Sequence, residues 1–598
     1  MKYLGTKFIG SDSSIFVIDT EKKSVFAVST ERVTRKKHDP FDISPIFKAC
    51  KDLQNTDYIV SIPFNNFKNV DFSLPTKFST LFIFLLSSFQ RRLNKINLKN
   101  NKKKVLHASD NPIIIRLVQN FSLCFQILNK FFVNITLRLL LKKSKINFLR
   151  LEYFDHHLSH VKSSYYLSDI NFKENTLALS IDGFGDGYWI KAYSVLNGEF
   201  KLIGKGKTNK IWNKTHFVCP SLGEIYGNFT ETLGFKRNSD EGKVEALAAY
   251  GKPDPELTKL LWKAFYIDGL EIKTDRLNVL KFYDMKFLGE KASKAGRENF
   301  SASIQKFLQD FIVSYISEIN KSFKFNNICL SGGVSANIIM NLAIYENFQL
   351  NKFYVVPAMG DDGSSAGAAI LSALKDGHNL DWLRSASMPY YGEQFSLTET
   401  IKTIDKYKQN LDWEEKSNWE EDAATEIDRD KVIAVFQGKA EFGPRALGNR
   451  SILANPTNPM SREILNAKIK NRPLFQPFCP TILAEERDRL FKNSFDHKFM
   501  ATAFRLDEKF YKLLPAITHI DGTARPQFID KEDNESFWKI LKHLKKINGF
   551  GVVINTSFNL HGRAMVRCPE DAILDFLACK MDVLYINGLK VTRKTINH

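Results

Sequence analysis

The sequence predicts two α/β domains, the first a duplicated unit with its site in the cleft between the repeats. Three observations predict this. Two strands run into Asp-Gly turns: Thr176–Ile181 into Asp182-Gly183, and Phe353–Val356 into Gly360-Asp361-Asp362-Gly363. Between them Asn327–Leu330 opens into Ser331-Gly332-Gly333-Val334-Ser335-Ala336-Asn337, where paired glycines bring main-chain amides close to a nucleotide. Pro389-Tyr390-Tyr391-Gly392 then marks the passage to a second run of strands and helices. The expected domains are 1–385 and 386–598.

Taken in order, the chain opens on a hairpin, Tyr3–Ile9 and Ile15–Ile18, around the small polar turn Gly10-Ser11-Asp12-Ser13-Ser14, with a third strand at Ser24–Val28. The charged stretch Glu31–Asp39 leads into a helix near Ile43–Leu53. Residues 66 to about 150 differ in kind. Leu117, Phe121, Phe125, Leu128 and Phe132 recur at helical spacing with Lys and Arg between them, which suggests a basic helical insertion. Its apolar runs are too short, or too interrupted, to span a bilayer.

Composition narrows the function. With 598 residues, 43% hydrophobic and 25% charged, the chain is long enough for two or three cores. Seven scattered cysteines without Cys-x-x-Cys spacing argue against a zinc ribbon or disulfide framework and fit a reducing compartment. No basic segment followed by an apolar core opens the chain, so a cytoplasmic location is expected. The net charge is +19, but Arg91–Arg150 alone carries 14 Lys/Arg against one acid, Asp110, an excess of 13. Charge confined to one segment speaks against a nucleic-acid partner. It leaves open a solvated face, or peripheral contact of residues 91–150 with the inner membrane.

The chemistry gathers on Asp155-His156-His157-Leu158-Ser159-His160. On a helix, His156 and His160 share a face and can hold a divalent metal ion, although His157 paired with His160 is open as well. The bland alternative is a surface helix of solvated histidines. Asp182 and Asp361 are the natural carboxylate ligands. A His-Glu-x-x-His metalloprotease is excluded because no Glu stands between the histidines. Downstream, Asp240-Glu241-Gly242-Lys243-Val244 opens a helix with a lysine placed for phosphate. Gly438–Ile452, centred on Gly443-Pro444-Arg445-Ala446-Leu447-Gly448-Asn449-Arg450, suits a planar anion that arginine grips bidentately. Val552–Ile554 leads into the amide- and hydroxyl-rich turn Asn555–Gly562.

In this order these motifs resemble the ATP-dependent O-carbamoyltransferases of the nodulation-factor, cephamycin and tobramycin type, over nearly the whole chain outside residues 66–150. The resemblance implies an N-terminal actin-like ATPase (ASKHA) domain and a C-terminal YrdC-like domain. The C-terminal domain would make carbamoyl adenylate from the co-substrates carbamoyl phosphate and ATP, and the N-terminal domain would pass the carbamoyl group to a hydroxyl. It implies a divalent metal, Fe²⁺ first and Mg²⁺ as a further candidate, on His156, His160, Asp182 and Asp361. Glu241, Lys243, Gly332, Gly333, Asn337 and Lys37 would approach the nucleotide. Arg445, Arg450, Asn555 and Ser557 would line the carbamoyl phosphate and adenylate pocket, with His160, Asp12, Lys37 and Arg445 acting in catalysis. A hydroxylated small molecule or glycan is the implied acceptor, and a homodimer is a candidate assembly.

Two departures stand out. The family's first turn typically reads Gly-His-Asp-Ser-Ser, where this chain has Ser11, and Phe-Arg-Pro-Phe-Ala-Pro becomes Phe475-Gln476-Pro477-Phe478-Cys479-Pro480. An arginine missing from an anion pocket costs about 1.5–3 kcal/mol per charged hydrogen bond, which Arg472 or Lys470 could offset. The alternatives are a weakly active nucleotide-binding regulator and a membrane-surface binding protein.

Overall fold

Three antiparallel strands, Lys2–Lys7, Ser14–Asp19 and Ser24–Ser29, begin the chain. Alternation sets their register: Leu4, Ile15 and Val17 face one apolar cluster, Tyr3, Phe16 and Ile18 the other. Asp57–Ile62 and Asn147–Tyr153 extend the sheet in parallel. A second sheet repeats this plan. Thr176–Gly185, Tyr188–Leu196 and Glu199–Lys207 are antiparallel, and Asn327–Ser331 and Lys352–Val355 add in parallel. The hairpin Phe265–Asp268 and Glu271–Thr274 extends its far edge. The shared order and sense of five strands is the duplication expected from the sequence, and it is the actin-like plan. The computed structural model describes residues 1–8, 12–39, 43–64, 135, 137–208, 211–213, 216–385, 388–470 and 472–594. Ser11 and most of the basic insertion, with the candidate membrane contact on it, lie outside them.

The helices His156–Tyr166 and Asp361–Lys375 pack on each other beside both sheets. Their backbones approach so closely that a Cβ on Gly367 would stand 1.7 Å from the Ser159 carbonyl oxygen. Only glycine permits that contact. One expectation is corrected. The strand expected to end at Ile181 in an Asp-Gly turn continues to Gly185, turns at Asp186-Gly187 and returns antiparallel. Asp186 and Gly187 take the left-handed conformations that such a tight turn requires, and a register shift after Ile181 absorbs the glycines.

The C-terminal region forms a mixed eight-stranded sheet, running from Leu411–Glu415 at one edge to Gln527–Ile529 at the other. Trp419–Asp428 and Glu535–Asn548 bury their apolar faces on one side, and Leu397–Asp405 and Pro569–Leu577 on the other. The two regions share packing. Phe16 meets Tyr391 and Phe442 at ring separations of 5.8 and 5.9 Å. The Ala27 amide donates to the Tyr391 carbonyl at 2.9 Å. Arg32 donates to the Gly443 carbonyl, Arg35 pairs with Asp575, and the Ala564 amide donates to the Arg35 carbonyl at 3.2 Å. Residues 27–36 therefore strap the first hairpin to the C-terminal region. Among the described residues no helix is long and apolar enough to cross a membrane.

His497 supplies a test of the shared core. It is buried among Phe495, Phe499 and Phe504, and its Nε2 accepts the Ala501 amide at 2.8 Å. Burial pushes its pKa down to about 3, whereas an unfolded histidine titrates near 6.5. The unfolded chain therefore binds the extra proton first. Stability is complete above about pH 6.5 and declines as pH falls from there towards 3. His497→Gln, which keeps an acceptor, is expected to flatten the fall in Tm between about pH 6.5 and 4. Thermal melts across that window measure it.

Candidate active site

The His156–Tyr166 helix is set by its cap. Asp155 accepts the Leu158 amide at 2.8 Å with one oxygen and pairs with Lys191 at 2.5 Å through the other. Four-residue spacing then puts His156 and His160 on one face, fully buried, with their Nε2 atoms 3.2 Å apart. Asp182 Oδ2 lies 2.9 Å from His156 Nε2 and 3.9 Å from that of His160. Asp361, the first residue of its helix, places Oδ1 3.5 Å from both. That oxygen is buried with no hydrogen-bond partner. Two imidazole nitrogens and two carboxylate oxygens, all within 4.8 Å of one another, are a donor set for a divalent ion. This set suits several metals and does not single out iron.

His157 is not part of it. Its Nδ1 meets Ser180 Oγ at 2.8 Å, and its Nε2 lies 3.0 Å from the Tyr188 carbonyl and 3.1 Å from that of Gly185. The pairing left open by sequence thus resolves to His156 with His160. His160 Nδ1 lies 3.0 Å from Ser331 Oγ, an outer partner of the kind that fixes a ligating imidazole. Burial pushes the His160 pKa down. In His156 burial is outweighed by Asp182 and Asp361, and the pKa rises. Burial and then Asp361 work to raise Asp182, yet the His156 hydrogen bond and the His160 charge bring it down to about 2. Lys7, buried in the first strand and over the Phe64 ring at 4.2 Å, pairs with Asp361.

The double glycine holds this cluster in place. Gly332 has φ +91°, and a Cβ there would stand 2.3 Å from the Ile181 carbonyl oxygen. Gly333 donates its amide to Asp182 Oδ1 at 3.0 Å. Asn337 caps the Ile338–Asn347 helix, accepting the Met340 amide at 2.8 Å, and exchanges hydrogen bonds with Gln305. Glu241 begins the Glu241–Ala248 helix and accepts the Asn238 amide at 2.6 Å. Lys243 pairs with Asp240 at 2.9 Å. Lys37 is exposed, and partial desolvation, with the Arg472 charge next, pushes its pKa down. Asp12 stands on the first turn, paired with His38.

Across the cleft, Glu441 organises the glycine-arginine loop. Its Oε1 accepts the amides of Leu447, Asn449 and Arg450 at 2.9, 2.9 and 3.1 Å. Arg445 emerges from that loop beside Arg525 and Arg472, with Glu245 opposite. Burial, and then the Arg525 charge, push the Arg445 pKa down to about 9, against the opposing pull of Cys479 and Glu245. Arg525 lies against Cys479 Sγ with Nη2 and Nε at 2.7 and 2.9 Å. Arg450 is placed differently from the pocket lining expected of it. Fully buried and stacked on Phe436 at 3.7 Å, it donates to the carbonyls of Gln437, Asn449, Glu393 and Gly438, so it braces the loop.

Asn555 supports the same loop, donating to the Ala446 carbonyl at 3.1 Å and to Thr481 Oγ1 at 2.9 Å. The Ser557 hydroxyl donates to Asn559 Oδ1 at 2.6 Å. Lys470 is engaged by Ser557 and Asn559 through four contacts of 2.5–3.2 Å. Of the two residues able to offset Gln476, Arg472 is therefore the one beside the other arginines. The sequence reading missed Lys7, His38, Glu245 and Arg525. His38 lies in the charged Glu31–Asp39 stretch and Glu245 directly follows the Asp240–Val244 motif, whereas Lys7 and Arg525 stand outside any motif, although Lys7 does interrupt an otherwise apolar strand.

Comparisons with known proteins agree with this architecture. Residues 2–370 match the carbamoyltransferase N-terminus and residues 424–593 the carbamoyltransferase C-terminus. An uncharacterized protein of Methanocaldococcus jannaschii is 42% identical over 99% of this chain and all of its own length. Nodulation protein NolO of Bradyrhizobium diazoefficiens is 30% identical over 74% of this chain and 79% of its own. The 3'-hydroxymethylcephem-O-carbamoyltransferase of Amycolatopsis lactamdurans is 27% identical over 58% of this chain and 64% of its own. The two family matches bracket the paired histidines and the arginine loop, and the chain is an enzyme of the carbamoyltransferase family.

Proposed function

We propose that residues 386–598 activate a carbamoyl group and residues 1–385 transfer it to a hydroxyl of a sugar, glycan or natural-product acceptor. Carbamoyl phosphate releases inorganic phosphate to water, and the resulting carbamate attacks the α-phosphorus of ATP. Pyrophosphate leaves and carbamoyl adenylate forms. Arg445, Arg472 and Arg525 neutralise the phosphates, whose charge is otherwise prohibitive in a desolvated pocket. Glu245, half-buried nearby, offsets part of the repulsion between Arg445 and Arg525. Lys37 and Lys243 lie towards the nucleotide from the N-terminal side. The acceptor oxygen then bonds to the carbamoyl carbon, and the carbon–oxygen bond to AMP breaks.

His156, His160, Asp182 and Asp361 would hold a divalent metal, and Fe²⁺ is the candidate we favour. Bound there, it would supply Lewis-acid polarisation of the carbamoyl carbonyl. Ser331 and Gly333 hold His160 and Asp182 in position. The observation that carries the reading is the convergence of these four donors, with a buried, unpartnered Asp361 oxygen among them. It is tested by incubating the metal-loaded chain with ATP and carbamoyl phosphate. Pyrophosphate release that depends on carbamoyl phosphate is expected, and none at any metal content sinks the reading.

A further inference from the structure

We propose that His38, held by Asp12, is the base that takes the proton from the attacking hydroxyl. His38 Nδ1 lies 2.7 Å from Asp12 Oδ1, although the residues are 26 positions apart. Both have left-handed backbones, φ +54° and +60°, an uncommon conformation outside glycine that Asp and His adopt more readily than most residues. Such conformations persist where the surroundings enforce them, and they gather at functional sites. Glu31 adds a second restraint by accepting the His38 amide at 3.1 Å. The pair also remains open. The side chains of His38 and Asp12 are 39% and 24% exposed, whereas His156 and His160 are fully enclosed.

Its position suits transfer. Two residues after Asp12, Ser14 donates to the Asp362 carbonyl at 2.8 Å, next to Asp361 of the four-donor cluster. On its other side is Lys37, which faces Arg472 and Lys243. The pair thus stands between the transfer cluster and the activation pocket. Position 11 is serine, so the first turn brings no imidazole of its own. The Asp12 carboxylate accepts Nδ1–H and leaves the Nε2 lone pair free, the tautomer a base requires. Asp12 and Glu31 favour the imidazolium that forms, and Lys37 opposes it. The hydrogen bond to Asp12 is the leading influence, and the His38 pKa lies above its usual value.

The step balances. The hydroxyl proton goes to His38 Nε2, the hydroxyl oxygen bonds to the carbamoyl carbon, and AMP leaves with the electron pair of the broken carbon–oxygen bond. The inference rests on the transfer reading above, and its test separates the two. Full-length protein with ATP and carbamoyl phosphate is assayed for pyrophosphate, for hydrolysis of the carbamoyl group with water as hydroxyl probe, and for hydroxyurea with hydroxylamine as nucleophile. Hydroxylamine attacks without prior loss of a proton. H38A and H38Q are expected to lower hydrolysis about 10²–10⁴-fold relative to pyrophosphate and to hydroxyurea. They should also lose the pH plateau that the wild type reaches once His38 is neutral.

Hydrolysis within about threefold of wild type in both variants overturns the base, as does equal loss with both nucleophiles. If the wild type releases no pyrophosphate, it is the transfer reading that fails. The dyad is then judged by NMR titration, with the His38 signal identified by its loss in H38Q. D12N should bring the His38 pKa back towards the usual value, and an unchanged titration refutes the pair.

Discussion

His160→Ala is expected to empty the four-donor cluster of its metal and to lower carbamoyl transfer by about a thousandfold or more, since Lewis-acid stabilisation is worth several kcal/mol. The size of the effect follows from the geometry. His160 Nε2 lies 3.2 Å from that of His156 and 3.5 Å from Asp361 Oδ1, so its loss removes one of only two nitrogens. The cavity left behind lies beside Ser331, which cannot replace a nitrogen ligand. Two measurements are read together. Bound metal after dialysis should fall from near one per chain to near zero, and transfer should fall with it. Normal metal content in the variant, or turnover above about a tenth of wild type, would show that these residues are not the metal-binding catalytic cluster.

Arg445→Ala should strike the other half of the reaction, lowering pyrophosphate release by about 10²–10³-fold while metal content is unchanged. Arg445 stands with Arg525 and Arg472 in a pocket whose depressed Arg445 pKa reflects burial and crowded positive charge. An anionic substrate relieves that crowding, and the relief favours binding and activation together. Arg445→Lys should recover little, because a lysine ammonium cannot reproduce the planar two-point grip of a guanidinium. Steady-state pyrophosphate kinetics in both co-substrates provide the measurement. A rise in KM for carbamoyl phosphate alone, with kcat intact, would assign Arg445 to binding and remove it from the activated complex.

The four metal-type donors were legible in the sequence because each closed a short-range pattern. His156 and His160 have helical spacing, and Asp182 and Asp361 each follow a buried strand. What could not be read was the use of individual groups across the fold. Spacing alone leaves His157 open as an alternative to His156, whereas the fold engages it with Ser180, Gly185 and Tyr188. Arg450 resembles Arg445 in type and setting, yet its two terminal nitrogens are taken up by four carbonyls of Glu393 and the Gln437–Asn449 loop. Lys7 and Arg525 act through partners 354 and 46 residues away, beyond any local signal. Asp182-Gly183 reads as a turn in the sequence, whereas an irregularity in register carries the Thr176 strand's pairing on to Gly185.

The strap at residues 27–36 bears on how this chain could be divided in the laboratory. Phe16, Tyr391 and Phe442 pack together, and Arg35 reaches Asp575 near the far end of the chain. A fragment ending near residue 385 would expose Phe16 and leave Arg32 and Arg35 without their acceptors, and its complement would carry a buried Asp575 stripped of one cation. Neither piece is expected to remain soluble alone, whereas the two produced together should associate. On the proposed chemistry, with a water-sensitive mixed anhydride as intermediate, the same stitching favours direct hand-over between halves above release into solvent.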